Sequence, residues 1–154
     1  MKYGIDTMMN CLEEEIAINR YVKNYMIKRI NDLGHVAINC EGYESKNFGE
    51  RLYNKVKIAN NARVDLFFSI NIVLDKKNSI TLYTKGDIAK AIAENIIKSL
   101  DELKFSSGKI INESKLYLIK NIKSEVLIAD VKIIDCNNIS LNEITEKILN
   151  IIVF

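Results

Sequence analysis

Few side chains in this sequence can carry hydrolytic or metal chemistry. It has one histidine, His35, and three cysteines, Cys11, Cys40 and Cys136. A zinc hydrolase needs three protein ligands and an open position for water, and one histidine cannot complete a two-histidine ligand set. The cysteines form no CxxC pair and are odd in number, which is typical of free thiols rather than of a disulfide framework.

The apolar periodicity predicts helices alternating with strands along the whole chain. Because such an order builds a layered sheet, we expect one α/β domain over residues 1–154. It would be a mostly parallel or mixed twisted sheet of about six strands, with helices on both faces. The predicted strands are Lys2–Asp6, His35–Cys40, Asp65–Leu74, Ser79–Thr84, Lys115–Ile119 and Val126–Ile134. The predicted helices are Glu13–Leu33, ended by Gly34, a second containing Phe48–Ala59, Asp87–Leu103, and a last one capped by Ser140.

Composition excludes several classes of function. The formal net charge is only +2, so neither a nucleic-acid-binding surface nor a polybasic membrane patch is expected. No apolar run reaches the roughly 18 residues that a transmembrane helix requires. The N-terminus lacks the apolar core of a secretory signal, so we expect a cytoplasmic protein, or one released to the cell wall by a route without a signal peptide.

The segment from Arg51 to Ile72, RLYNKVKIANNARVDLFFSINI, combines a helix ending in Ala-Asn with a buried apolar strand. It resembles the zinc-dependent N-acetylmuramoyl-L-alanine amidases, peptidoglycan hydrolases in which this strand reads aDlfvSIHaN. The resemblance extends to the clostridial and phage endolysin branch. In the family the histidine of the strand binds zinc, whereas this chain has Asn71 at that position.

The start of the chain carries two further family positions. KYGID, at Lys2–Asp6, is similar to the family's first strand, kiaIDcGH, whose histidine also binds zinc; Met9 falls at that position. The loop that follows in the family is shortened here. The family's glutamate ligand, in the pattern E-x₄-R, matches Glu15 with Arg20. Glu15 is equally explained as a favourable carboxylate in the first turn of a helix.

The segment KLYLIKNIKSEVLIAD, which ends at Asp130, is similar to nLyVirNtkmPamLiE. The last glutamate of that pattern activates the zinc-bound water, and we match it to Ala129, with Asp130 next to it. The proline of the pattern falls at Glu125. Side chains alternate along a strand, so Asp130 is predicted to point away from the site and not to replace the glutamate. On this reading the chain has no catalytic residue.

These substitutions predict that the zinc is lost and that no other cofactor replaces it. Asn71 offers a neutral oxygen, and a thioether such as that of Met9 suits zinc poorly. Cys11, four residues before Glu15, is the one substitute ligand, in a rebuilt Cys11–Glu15–Asn71 site.

The leading hypothesis is a pseudoenzyme that binds a peptidoglycan fragment or pairs with an active amidase. The alternative is a residual or rebuilt zinc amidase that hydrolyses the N-acetylmuramoyl-L-alanine bond. A third reading is a structural role, as a homodimer or as part of a phage-derived module.

Overall fold

Six strands form one sheet in the computed structural model, which describes residues 1–7, 13–42, 45–112 and 114–153, with the side chains of residues 138 and 139 left out. In chain order the strands are β1 (Lys2–Thr7), β2 (Val36–Asn39), β3 (Leu66–Leu74), β4 (Ser79–Lys85), β5 (Ser107–Asn112) and β6 (Glu125–Ile133). Their spatial order is β2-β1-β3-β6-β4-β5. β1, β2, β3 and β6 are parallel, and β4 pairs antiparallel with β6 and parallel with β5. The predicted mixed α/β sheet of about six strands is confirmed.

Five helices cover the sheet: α1 (Glu13–Asp32), α2 (Phe48–Ala62), α3 (Asp87–Lys98), α4 (Tyr117–Asn121) and α5 (Asn138–Ile152). β6 shows how they divide between the two faces, because its side chains alternate. Leu127 and Ala129 belong to the core formed with α1, α3 and α5, and we call this side the α1 face. Val126 and Ile128 belong to the core formed with α2 and α4, which we call the α2 face. Helices therefore lie on both faces, as predicted.

Helix α1 follows the periodicity of its sequence. Its buried apolar residues are Ile18, Val22, Met26 and Ile30, a stripe at helical spacing that packs on the α1 face. The helix ends at Gly34, which has a φ of 84°, and the next amide, of His35, donates to the carbonyl of Ile30 at 3.2 Å. A glycine in the left-handed region is the usual end of a helix, so the predicted cap is confirmed.

The prediction fails between Ser107 and Asn121. This stretch contains β5 and then helix α4, whereas the sequence predicted no strand at 107–112 and a strand at 115–119. β5 is a short edge strand with Gly108 and Lys109 in its centre, a composition that resembles a turn. Leu118, Ile119 and Ile122 are buried together against α2, which favours a helical turn over an extended chain.

Two helix boundaries also differ from the prediction. α3 ends at Lys98 instead of running to Leu103, which is buried beyond the helix. The N-cap of α5 is Asn137 and not Ser140: the Asn137 side chain accepts a hydrogen bond from the Ser140 amide at 2.9 Å. Asparagine and serine are both good N-cap residues, so the sequence pattern could not choose between them. No helix within the described residues has the length and apolarity to cross a membrane.

Asn19 of α1 pairs the backbone of β3 beyond the described end of β1. β1 ends at Thr7, paired with Ile70, so the backbone of Ile72 extends past it on that side. The Asn19 side chain accepts from the Ile72 amide and donates to the Ile72 carbonyl, both at 2.8 Å, and is 2% exposed. Because buried backbone groups must be paired, Asn19 lets β3 continue beyond its neighbour.

We predict that Asn19→Leu destabilises the fold although it removes no charge. The leucine would remove the Asn19 partner from both buried backbone groups of Ile72, at a cost of about 1–3 kcal/mol each, or about 2–6 kcal/mol together. Urea unfolding would measure the loss. Asn95→Leu, the same replacement at an exposed position of α3, is the control and should change stability by less than about 1 kcal/mol. Equal effects of the two changes would refute the role given to Asn19.

Candidate functional site

A buried ion pair joins α2 to the carboxyl end of β1. Asp6 is fully buried, and its two carboxylate oxygens lie 2.8 and 3.0 Å from the Nζ atom of Lys55. The Lys55 ammonium also donates to the carbonyl of Thr7 at 2.7 Å, and the Ser69 hydroxyl donates to Asp6 at 3.1 Å. Burial raises the pKa of Asp6 above its ordinary value, and the charge and hydrogen bond of Lys55 oppose that rise. The four groups fix α2 over the ends of β1 and β3.

One strand further along the sheet, Asn71 of β3 lies opposite Asp130 of β6. The Asn71 amide nitrogen is 3.4 Å from a carboxylate oxygen of Asp130, which also accepts a hydrogen bond from Tyr83 of β4. Burial raises the pKa of Asp130, while the hydrogen bonds from Asn71 and Tyr83 and the charge of Lys132 act in the opposite direction. Burial also raises the pKa of the Tyr83 phenol, and the nearby Asp130 charge adds to this effect.

The amide oxygen of Asn71 accepts no hydrogen bond from the described residues although it is buried. A buried acceptor without a partner costs free energy, so this oxygen can take a donor from outside the described residues. Asn71, Asp130 and Tyr83 together present an acceptor, a carboxylate and a phenol on the α2 face. Such a group can orient an amide or a hydroxyl, and a carboxyl whose pKa is raised can hold a proton at higher pH than an exposed one.

A cleft of about 360 Å³ lies between α2 and α4, and Asp130 and Tyr83 are among its lining residues. We call it the aromatic cleft. Its walls are mainly apolar, and its polar groups are few: Asp130, the Tyr83 hydroxyl and Lys115. Phe48 and Tyr117 remain 52% and 40% exposed, so two aromatic rings line the cleft while facing solvent. The remaining lining residues are Leu52, Leu116, Leu118 and Ile128. An apolar cleft with a few convergent polar groups has the form of a small-molecule site.

The structure corrects the assignment of Ala129. Its side chain is fully buried in the core of the α1 face, on the opposite side of the sheet from Asn71. Asp130 is the residue of β6 that meets Asn71, and it occupies the α2 face. A count along the pattern nLyVirNtkmPamLiE from its proline, at Glu125, also ends at Asp130. Neighbouring residues of β6 do point to opposite faces, but the prediction placed Ala129 instead of Asp130 on the face of Asn71. A carboxylate therefore lies beside Asn71, where the sequence analysis expected none.

The other predicted site residues are only partly accounted for. Met9 and Cys11 lie outside the described residues. Glu15 lies in the first turn of α1 and is 8% exposed, and its backbone carbonyl accepts from the Asn19 side chain at 2.7 Å. Its carboxylate makes no ion pair within the described ranges. No group of three or more His, Cys, Asp or Glu side chains that could hold a metal occurs in residues 1–7, 13–42, 45–112 or 114–153.

The remaining histidine and cysteines lie apart from the site. His35 is at the opposite end of β1, where its ring stacks edge-on against Tyr3 and its Nδ1 atom is 3.2 Å from the N-terminal amine. Cys40 is a free thiol in the core, and burial raises its pKa to about 12. Cys136 is also free and is half-buried at the margin of the core. The prediction of free thiols is confirmed for these two cysteines.

Sequence reasoning missed Lys55 and Tyr83, and it placed Asp130 on the wrong face of the sheet. The signal for Lys55 was its position in the apolar stripe of α2, three residues after Leu52, where a solvated lysine is out of place. Tyr83 lies in β4, whose sequence SITLYTK alternates polar with apolar residues. That alternation predicts that Tyr83 lies on the same face of the sheet as Thr81. No sequence signal paired either residue with its partner, because the contacts join distant parts of the chain.

The fold is that of N-acetylmuramoyl-L-alanine amidases. The catalytic domain of the CD27L endolysin targeting Clostridia difficile superposes with a TM-score of 0.73 at 17% identity, over 99% of this chain and 94% of that domain. The amidase AmiC2 of Nostoc punctiforme gives 0.72 at 13% identity, over 99% and 95%. The CwlD amidase of Clostridioides difficile, solved in complex with the GerS lipoprotein, gives 0.73 at 16%, over 98% and 95%. No protein-family model and no curated protein sequence matches this chain.

We predict that Lys55→Met lowers the free energy of unfolding at neutral pH by about 3–5 kcal/mol, because it leaves the Asp6 charge buried without its cation. Without Lys55 the folded-state pKa of Asp6 rises further above the unfolded value of 3.8. The Asp6 carboxyl then keeps its proton to a higher pH in the folded variant than in the unfolded chain. The free energy of unfolding of the variant therefore falls as pH rises from about 4, and its difference from the wild type is smaller at lower pH. Denaturant unfolding at several pH values would measure it.

Two variants control this measurement. Lys57→Met replaces an exposed lysine of the same helix and should be nearly neutral. Asp6→Asn combined with Lys55→Met removes both charges and should recover part of the lost stability. A deficit that does not change with pH would contradict the role assigned to Asp6.

We also predict that Tyr83→Phe raises the pKa of Asp130 further. The Tyr83 phenol donates to the Asp130 carboxylate and so favours its charged form, whereas burial disfavours that form. Removing the phenol therefore takes away one of the interactions that lower the pKa of Asp130. Carbon-13 NMR titration of the Asp130 carboxyl would give the value. Tyr53→Phe, at a tyrosine that is 55% exposed on α2, is the matched control. An unchanged or lowered pKa in Tyr83→Phe would show that the hydrogen bond does not form.

Proposed function

We propose that this chain is an amidase-fold protein that binds a peptidoglycan fragment in the aromatic cleft and does not hydrolyse it with zinc. The observation that carries the proposal is the cleft itself, about 360 Å³ in volume, which opens beside Asn71 with Asp130 and Tyr83 among its lining residues. Asp130, which lines the cleft, contacts Asn71, the residue at the position where the resemblance puts a zinc ligand. A binding role uses the pocket and needs no metal.

The donor chemistry around Asn71 does not fit a catalytic zinc. Such a site takes three ligands from among histidine, cysteine and carboxylate side chains. Beside Asn71, an amide, the described residues supply the Asp130 carboxylate, which is already hydrogen bonded to Asn71 and Tyr83. The single histidine is held at the far end of β1. We therefore derive no hydrolytic step through a metal.

The aromatic cleft matches the chemistry of a muropeptide. A sugar ring has apolar faces that can lie against the exposed rings of Phe48 and Tyr117, and its edge carries hydroxyl groups. The adjoining peptide supplies amide hydrogens for the Asp130 carboxylate, which lines the cleft. An apolar surface for contact area and a few polar groups for orientation are the usual division of roles in a ligand site.

Two other functions are outcomes of the same test. A protein partner, such as an active amidase, is supported by CwlD, an amidase of this fold solved in complex with a lipoprotein. A rebuilt zinc amidase is supported by Asp130, which offers a carboxylate beside Asn71, and by the buried Glu15. Metal binding separates the rebuilt enzyme from the proposed binding protein.

We predict that the metal-free protein binds muramyl dipeptide, N-acetylmuramoyl-L-alanyl-D-isoglutamine, in isothermal titration calorimetry. Tyr117→Ala should weaken binding by at least about tenfold, because aromatic anchors carry much of the free energy of binding. Tyr53→Ala, at an exposed tyrosine of α2 that does not line the cleft, should leave the affinity unchanged. Absence of binding by the folded wild-type protein would overturn the proposal.

The same samples test the zinc amidase. After incubation with zinc and removal of the excess, we expect far less than one zinc ion per chain and no cleavage of the dipeptide by mass spectrometry. One tightly bound zinc that is lost in Glu15→Ala, together with cleavage, would replace the binding proposal by a rebuilt enzyme.

A further inference from the structure

Among the described residues, α2 and α4 cover only part of the α2 face. The buried side chains of α2 and α4 lie over β3 and β6, and from β4 only Tyr83 packs against their core. Beyond Tyr83 the surface is formed by the strands themselves. Thr81 of β4 is half-buried there, and Lys109 of β5 and Lys132 of β6 are exposed.

This uncovered area forms a second cleft, of about 500 Å³, which we call the lysine cleft. Its lining includes three lysines, Lys77, Lys109 and Lys132, and the hydroxyl residues Ser79, Thr81 and Ser107. Asp130 and Tyr83 line it too, and they are the two residues that it shares with the aromatic cleft. The two clefts therefore meet at Asp130 and Tyr83, and one extended molecule can occupy both.

The charges along this combined groove favour an anion. Its lining contains four lysines, Lys115 in the aromatic cleft and three in the lysine cleft, and one acidic residue, Asp130. Outside the groove, Asp75 lies 3.6 Å from the Lys132 ammonium, and both side chains are exposed, so this pair holds Lys132 only weakly. Lys77 and Lys109 make no ion pair within the described part of the chain.

The strand register gives the direction and length of the ligand. Asp130 of β6 pairs with Thr81 of β4, which pairs with Lys109 of β5, so the three residues form a row across the sheet. Two strand spacings separate the ends of the row, about 10 Å. An extended peptide advances about 3.3 Å per residue, so about three residues reach from Asp130 to Lys109.

We propose that the lysine cleft binds the carboxylates of a short acidic peptide whose uncharged, sugar-bearing end lies in the aromatic cleft. This inference rests on the proposed function and adds the carboxylates of the peptide as a further recognised part of the ligand. The ammonium groups attract the carboxylates across the row, and the serine and threonine hydroxyls of β4 and β5 donate hydrogen bonds to the peptide. Asp130 and Tyr83 mark the junction between the two parts.

The test compares two ligands with the same covalent skeleton: an N-acetylmuramoyl tetrapeptide with free carboxylates, and the same compound with every carboxylate amidated. We expect the free acid to bind the wild-type protein at least tenfold more tightly in low salt, and the difference to shrink as salt is added. Lys109→Glu should abolish the preference for the free acid and leave the affinity for the amidated compound unchanged.

Controls separate this role from a structural one. A lysine on an edge strand also discourages aggregation, so Lys109→Gln, which keeps a polar side chain, should lose most of the preference while remaining monomeric. Lys90→Glu makes the same change of charge at an exposed position of α3, on the other face of the sheet, and should bind both ligands as the wild type does.

The outcomes are distinguishable. Failure of both ligands to bind would overturn the proposed function. Equal binding of both ligands, or a preference that survives Lys109→Glu, would overturn this inference and leave the proposed function intact. Equally tight binding of the free tetrapeptide without its sugar would also overturn it, and would point to an acidic protein segment as the occupant.

Discussion

The buried ion pair between Asp6 and Lys55 fixes the position of α2 on the sheet, and the aromatic cleft depends on that position. A fully buried carboxylate needs a cation close by, and Lys55 approaches both of its oxygens from the middle of α2. Phe48 and Leu52 precede Lys55 on the same helix and form one wall of the cleft. The pair contributes no net attraction to a ligand, but it holds the helix that the ligand contacts.

The parallel strands of the sheet differ in length within the described residues. β1 is described to Thr7, which pairs with Ile70, while β3 runs on to Leu74 and pairs with β6 along its whole length. Asn19 pairs the buried backbone of β3 at Ile72. The carboxyl ends of parallel strands are a common place for ligand sites in open α/β sheets, and Asn71 and Asp130 lie toward that end of β3 and β6.

The aromatic cleft combines mainly apolar walls with a few polar groups. The hydrogen bonds that join Asn71, Asp130 and Tyr83 connect three strands, and none of them requires a metal. The arrangement of these side chains is therefore set by the sheet itself. The lysines of β5 and β6 lie on the same surface, next to Asp130 and Tyr83.

The sequence by itself determined the α/β class, the order of most elements, the cap at Gly34 and the exclusion of a two-histidine zinc site, because periodicity, glycine and residue counts act locally or over the whole chain. It did not identify β5, whose glycine and lysine resemble a turn until a neighbouring strand pairs with them. It also could not show that Asp130 rather than Ala129 meets Asn71. Only the tertiary structure decided these points, because register between strands and the pairing of Asp6 with Lys55 arise from contacts between residues far apart in the chain.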